Sequence, residues 1–354
     1  MTEKIRIKDI AEKAGVSVGT VDRVLHKRSN VSKKAAEKVK KVLEEIHYKP
    51  NMYASALAYN KQYLFYLIIP RHEAETYWCD IEEGVHYCEE QRSDFHIEVR
   101  IAYYNRAESK SIIAVGDECL KAQPHGVILV PSDLDSTRTF TDKLHKNNIP
   151  FVMLDSYMPD LRPLAFFGQD SFQSGFFAAR MFMLLASKEK EILLLKHGQH
   201  GGLWSKQQAN REVGFRHYMA DHYPDVKIDT LELDLEEEKG LDEAFEAFFT
   251  AHPRVHHCIT LSSRAYRLGN FLLKTNRRDV QIMGYDYIPQ NISCLREGSV
   301  SFLVCQHAYM QGYLCVDALF RAIVLKQEVK AVNYMPIELI TKENVDFYSR
   351  QLHA

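Results

Sequence analysis

From residue 63 to residue 284, short apolar runs rich in β-branched and aromatic residues alternate with longer amphipathic stretches. The runs are Tyr63–Ile69, Ile97–Ala102, Gly126–Val130, Phe151–Leu154, Glu191–Leu195, Lys227–Leu231, Cys258–Leu261 and Gln281–Gly284. The intervals 80–91, 109–122, 138–147, 171–186, 206–221, 240–251 and 264–274 read as helices. This alternation specifies parallel sheets with helices on both faces, because parallel neighbours need a crossover connection. So many units exceed one small sheet and predict two lobes. Ligands in such sheets bind at the carboxyl ends of the strands, so the residues just after each run are the site candidates.

The first 50 residues follow a different period. Ile7, Ile10, Ala11 and Ala14 fall on one helical face, and Gly15 suits the left-handed residue that closes a helix. Ser17 is a good cap for a second helix over Val18–Leu25, with Val21, Val24 and Leu25 as its buried stripe. After the polar Lys27-Arg28-Ser29-Asn30, Ser32 caps a third helix carrying Ala35, Val39, Val42, Leu43 and Ile46, and Pro50 ends the unit. Two helices across the tight turn Gly15-Val16-Ser17 form a helix-turn-helix. That geometry fits a DNA reader or a plain helical bundle with a solvated basic face.

Charge bears on that choice. Residues 1–61 hold 14 Lys and Arg against 7 Asp and Glu, while the rest holds 31 against 40. A basic head on an acidic body suits a polyanion partner. MTEKIRIKDI lacks the apolar core of a secretory signal, and no run is long and apolar enough to predict a membrane span. Seven cysteines, with no C-x-x-C, fit reduced thiols in the cytosol better than a disulfide framework.

Ile7-Lys8-Asp9-Ile10-Ala11, Ala14-Gly15-Val16-Ser17, Thr20-Val21 and Arg23-Val24-Leu25 together resemble the head of the LacI/GalR (lactose-repressor) family. The match runs on through Val31-Ser32, Lys38-Val39, Tyr48, Pro50-Asn51, Ala54 and Leu57-Ala58. The resemblance implies a multidomain chain. It comprises an all-α helix-turn-helix head (1–50), a hinge helix (51–60) and a two-lobed α/β effector domain of periplasmic-binding-protein type with Rossmann-like parallel sheets (61–354). The first lobe is expected over about 61–165 and 290–326, the second over about 166–288 and 327–345.

On that resemblance the second helix enters the major groove and its N-terminal residues face base edges. Val18 and Gly19 carry no side-chain donor, which shifts base reading to Arg23 and to apolar contact of Val18 with thymine methyls. Ser17 and Thr20 would hold phosphate. Asp22 departs from the family's usual Ser; it either accepts from cytosine or orients Arg23 or His26. In the hinge, Asn51, Tyr53, Ala54 and Leu57 match the family's DNA contacts, with Leu57 as the wedge in the minor groove. A helix this short is marginal alone and folds only with DNA and a second subunit.

For the effector site, the resemblance implies Tyr77 and Trp78 as stacking aromatics and Asp155 as a grip on a hydroxyl. Asp170 is either a ligand contact or only a helix cap. Arg211, Asp286 and Gln306 match ligand-gripping positions. Where many relatives carry Asn-Asp, this chain has Ser263-Arg264. Arg264 either pairs with Asp286 or binds an acidic ligand such as a uronate or sugar phosphate. The loop Lys196–Gly202 lacks the G-K-[ST] ending of a phosphate loop and reads as a pocket rim, and the acidic run Asp234–Glu238 reads as a solvated loop. His252, His256 and His257 read as surface residues.

No catalytic arrangement, metal site or cofactor site is expected. The function implied is a cytoplasmic, sequence-specific regulator, a repressor, acting on double-stranded operator DNA as a homodimer or tetramer. A small-molecule effector in the interlobe cleft, a sugar in this reading, sets its operator affinity. The competing readings are a sugar-binding protein without a DNA role, and a regulator of an acidic sugar, sugar phosphate or nucleobase.

Overall fold

The computed structural model describes residues 7–25, 31–46, 61–198 and 206–352. The chain divides into two compact units, residues 1–60 and 61–354.

In the first unit α1 (Ile7–Ala14), α2 (Val18–Leu25) and α3 (Lys33–Glu45) enclose Ile10, Ala11, Ala14, Val21, Val39 and Val42. Gly15 turns the chain with φ +62°, a conformation that costs a residue without Cβ little. Ser17 Oγ accepts from the Thr20 amide at 3.2 Å and starts α2. Ser32 Oγ does the same for α3 through Ala35 N, at 3.2 Å.

Among its described residues the second unit holds two six-stranded sheets. The first contains β1 (Tyr63–Pro70), β2 (Ile97–Tyr104), β3 (Gly126–Leu129), β4 (Phe151–Leu154), β5 (Ala165–Gly168) and β11 (Val332–Tyr334), in the order β11-β5-β4-β3-β1-β2. The second contains β6 (Glu191–His197), β7 (Lys227–Leu233), β8 (His257–Thr260), β9 (Gln281–Tyr285), β10 (Phe302–Cys305) and β12 (Glu338–Ile340), in the order β12-β10-β9-β8-β6-β7. Every pairing is parallel except β10 with β12. Strands β3 and β4 are buried at every residue, as parallel strands covered on both faces must be.

The helices are α4 (Tyr77–Glu90), α5 (Ser111–Lys121), α6 (Leu134–Lys146), α7 (Ser171–Leu185), α8 (Lys206–His222), α9 (Leu241–Ala251), α10 (Ala265–Lys274), α11 (Pro289–Glu297), α12 (Ala308–Leu319) and α13 (Val345–Leu352). Two helix pairs cross at glycines. A Cβ on Gly175 of α7 would lie 1.9 Å from the Arg211 carbonyl of α8, and one on Gly84 of α4 would lie 1.9 Å from the Tyr309 carbonyl of α12. Side-chain-free positions thus set how closely α8, which carries Arg211, approaches α7.

The chain changes lobe after β5, after β10 and between β11 and β12. This corrects the expected lobe limits. Residues 290–305 stand with the second lobe, because β10 pairs with β9, and β11 returns 332–334 to the first lobe by pairing with β5. The sequence reading missed β5 and β10, and also β11 and β12, whose three residues are too short to display a period. It also missed α12, which buries residues on several faces and so lacks a polar stripe. Gln169 ties the crossings together: its amide nitrogen donates to the carbonyls of Cys305 (3.1 Å) and Pro336 (2.9 Å).

Candidate functional site

The carboxyl ends of β1, β4, β6, β8, β9 and β10 converge on one cavity of about 430 Å³, within the size range of small-molecule sites. Its floor is a hydrogen-bonded chain from one lobe to the other. Gln207 Nε2 donates to the Asp155 carbonyl, and Gln207 Oε1 accepts from Arg211 Nη2 at 2.9 Å. Arg211 Nη2 also donates to Gln306 Oε1, and Gln306 Nε2 donates to Asp286 Oδ1 at 2.6 Å. Arg211 Nη1 donates to the Leu261 carbonyl at 3.0 Å, and its guanidinium lies 4.2 Å from the Tyr285 ring centroid. The helix α8 places Gln207 and Arg211 one turn apart on one face, which is why they act together.

Asp155, Arg211, Asp286 and Gln306 are each 6% exposed or less. Burial pushes Asp286 up to about 6 against the opposing pull of Arg211 and the Gln306 bond. Burial also raises Asp155, opposed by Arg106 and Arg211. The Tyr77 hydroxyl is raised well above its ordinary value by burial first, then by Asp155 and Asp286. Among the described residues, the buried Arg211 Nε has no hydrogen-bond partner. An orphan buried donor beside an open cavity is a place for a ligand acceptor.

The aromatic edge is Tyr77 and Trp78 at the start of α4, ring centroids 5.0 Å apart at 76°. Arg106 lies over the Trp78 ring at 5.3 Å. On the opposite side stands Arg264, whose Nη1 donates to Ser263 Oγ at 3.2 Å and whose Nη2 pairs with Glu236. Hydroxyl-gripping carboxylates, forked guanidiniums and flat aromatic faces together suit a polyhydroxylated ligand.

Tyr77, Trp78, Asp155, Arg211, Ser263, Arg264, Asp286 and Gln306 all line this cavity. Asp170 does not. Its Oδ1 accepts from Gln173 N at 3.0 Å and caps α7, so the cap alternative holds. Arg264 pairs with Glu236 rather than with Asp286; the run 236–238 is exposed to solvent, as expected, but Glu236 also reaches the cavity. Sequence reasoning missed Arg106, Gln207, Glu236 and Arg267 as lining residues, whereas His197 falls in the run read as a pocket rim. Gln207 was findable one turn before Arg211; the others carried no local signal.

In the first unit, Val18 is 49% exposed, and Gly19 and Arg23 are exposed on α2. The Ser17 and Thr20 hydroxyls bond each other at 2.9 Å, and Asp22 is half-buried. His26, Asn51, Tyr53, Ala54 and Leu57 lie outside the described residues.

His252 is not a plain surface residue. It stacks on Phe248 (centroids 4.4 Å, 16°) and faces Glu191 and Asp229, whose carboxylates Lys227 Nζ bridges at 2.8 Å each. The seven cysteines are free, and among the described residues no helix is long and apolar enough to cross a membrane.

Residues 65–327 match the model of the periplasmic binding protein domain, and residues 6–51 match that of the bacterial regulatory proteins of the lacI family. The chain is 23% identical to the HTH-type transcriptional regulator MalR of Streptococcus pneumoniae serotype 4 (strain ATCC BAA-334 / TIGR4), over 80% of this chain and 84% of that one. It is 21% identical to the ribose operon repressor of Lactococcus lactis subsp. lactis (strain IL1403), over 96% and 97%. A solved structure of a candidate LacI transcriptional regulator from Bacteroides fragilis superposes with TM-score 0.78 at 40% identity, covering 81% of this chain and all of that one. The glucose-galactose binding protein GanP of Geobacillus stearothermophilus shares the fold, with TM-score 0.69 at 20% identity over 80% and 99% of the two chains.

Proposed function

The chain belongs to the lacI family of bacterial regulatory proteins, and from that premise we propose that it represses transcription by binding operator DNA with an affinity set by a small carbohydrate. The observation that carries this reading is the pairing, in one chain, of a basic helix-turn-helix unit with a two-lobed unit whose cleft keeps an orphan guanidinium donor between two buried carboxylates.

The floor runs from Asp155 in one lobe to Asp286 in the other, with the partners in between all polar. A ligand that inserts there competes for both ends of this chain and changes the preferred lobe angle, with Gln169 holding the crossings as the pivot. That change biases the 51–60 segment toward or away from its helical, DNA-inserted state. By linkage, DNA must alter ligand affinity by the same factor that ligand alters DNA affinity. The protein acts in the cytoplasm as a homodimer, and its operator is a near-palindrome with half-sites read by Val18 and Arg23.

The test is a gel-shift titration of the intact chain on its own upstream DNA at low salt, with and without candidate sugars. A sharp retarded species whose midpoint moves with one sugar supports the proposal. No retardation under any condition rejects it.

A further inference from the structure

The side wall of the cleft is built differently from its floor. Leu235 is wholly buried in the second lobe's core and anchors the 234–238 segment. Arg267 pins that segment's backbone, its Nε donating to the Leu235 carbonyl at 2.9 Å and its Nη2 to the Glu236 carbonyl at 3.2 Å. The Leu235 amide donates to His197 Nδ1 at 3.1 Å, which leaves the ring proton on Nε2, 3.8 Å from Glu236 Oε1. The main chain at 235–236 is therefore held by three hydrogen bonds, while the Glu236 side chain is 42% exposed. Its carboxylate sits on Arg264 Nη2, and the Arg264 side chain is only 15% exposed. Arg264 Nε is buried and, among the described residues, has no hydrogen-bond partner.

Resting on the reading of this cleft as the effector site, we propose that its ligand is a carbohydrate bearing an acid group, and that Glu236 is an internal surrogate for that group, displaced from Arg264 when the ligand binds. A half-exposed carboxylate on a guanidinium is a weak pair in high dielectric. A ligand acid able to engage Nη2 and the orphan Nε as a fork makes the stronger bond. Only one side-chain rotation is needed, since Arg267 keeps the backbone in place. The floor tolerates the added negative charge because the Arg211 guanidinium spans it, bonded to Gln207 and Gln306. Arg106, over Trp78, adds positive charge to the wall. A carboxylate and a phosphate share this chemistry, so both are tested.

The experiment is calorimetric titration of the full chain with pairs differing only in the acid: D-galactose against D-galacturonate and galactose 6-phosphate, and D-glucose against D-glucuronate and glucose 6-phosphate. The expected result is that an acid-bearing member binds at least tenfold tighter than its neutral partner. Glu236→Gln should then tighten the acid ligand by roughly twofold to fivefold, the range of a partly exposed pair, and leave neutral sugars unchanged. Arg264→Gln should abolish the preference for the acid, and Glu238→Gln, on the exposed partner of Arg267, should change neither. A carboxylate preference and a phosphate preference each support the proposal and identify the group. Neutral sugars binding as well as or better than their acids overturns this inference alone. Weaker acid binding in Glu236→Gln also overturns it, because Glu236 would then contact the ligand itself. Failure of every compound overturns both this inference and the reading of the cleft.

Discussion

Asp155 and Asp286 occupy matching positions in the two lobes. Each follows the third strand of its sheet, each adopts a left-handed backbone (φ +72° and +73°), and each donates its amide at 2.9 Å to the next strand, to Phe167 and Val304 respectively. Asp and Asn enter this conformation more readily than other residues with a side chain. Substitution of either by Asn should therefore keep the fold, with thermal midpoints within a few degrees of wild type. Ligand affinity should fall by about tenfold to a hundredfold, the worth of a hydrogen bond to a charged group. Calorimetry beside a circular-dichroism melt checks both halves; unchanged affinity in both variants would remove the carboxylates from the site.

A second prediction concerns pH. Asp80 on α4 faces a small cavity walled by Asp286, Gln306, His307 and Tyr348, and burial first, then Glu83 and Asp286, pushes it up to about 7. An acid held above its unfolded value binds a proton in the folded state that the unfolded chain has released. Its ionisation therefore costs stability as pH rises from about 4 to 7. Asp80→Asn should raise the melting temperature by several degrees at pH 8, and the gain should shrink steadily toward pH 4. Comparing variant with wild type at each pH cancels the opposing contribution of His125, His197, His257 and His307, all held below the ordinary imidazole range by burial. A gain independent of pH would contradict this account.

The helix crossing at Gly175 gives a third. An added Cβ meets the Arg211 carbonyl at 1.9 Å, so α7 and α8 must separate. Gly175→Ala should cost about 1–3 kcal/mol of stability, as overpacking does. It should also weaken ligand binding, because Arg211 moves with its backbone. Gly15→Ala strains only a left-handed turn in the other unit and should leave ligand affinity alone. Equal ligand affinity in wild type and Gly175→Ala would show that the crossing does not position Arg211.

The DNA-facing unit gives a fourth. If Leu57 is the proposed wedge, Leu57→Ala should weaken operator binding strongly while ligand binding stays intact, because residue 57 and the cleft residues are different parts of the chain. Arg23→Ala should lose roughly 1–3 kcal/mol and relax specificity at one base position. Operator affinity should fall by orders of magnitude as salt rises from about 50 to 200 mM, as released counterions require. Gel-shift titrations across salt and operator variants read all three, and a flat salt dependence would argue against phosphate contacts.

Local sequence determined a good deal of this protein. The period of Ile7, Ile10, Ala11 and Ala14, with Gly15 and Ser17 behind it, marks α1, the turn and α2 to the residue, because helix faces and caps are short-range properties. Runs such as Phe151–Leu154 mark central parallel strands because both their faces must be apolar. Asp155 and Asp286 were legible as lining residues of the cavity from their places at strand ends, and Arg211 from a family pattern. Tertiary structure alone decided what those residues face. Nothing near Arg264 says that Glu236, 28 residues away, will lie on it. Strand β10 declares its lobe only by pairing with β9, and β11 only by pairing with β5. Side-chain periodicity is written along the chain, whereas the partner of a charge and the neighbour of a short strand are set by how distant segments pack.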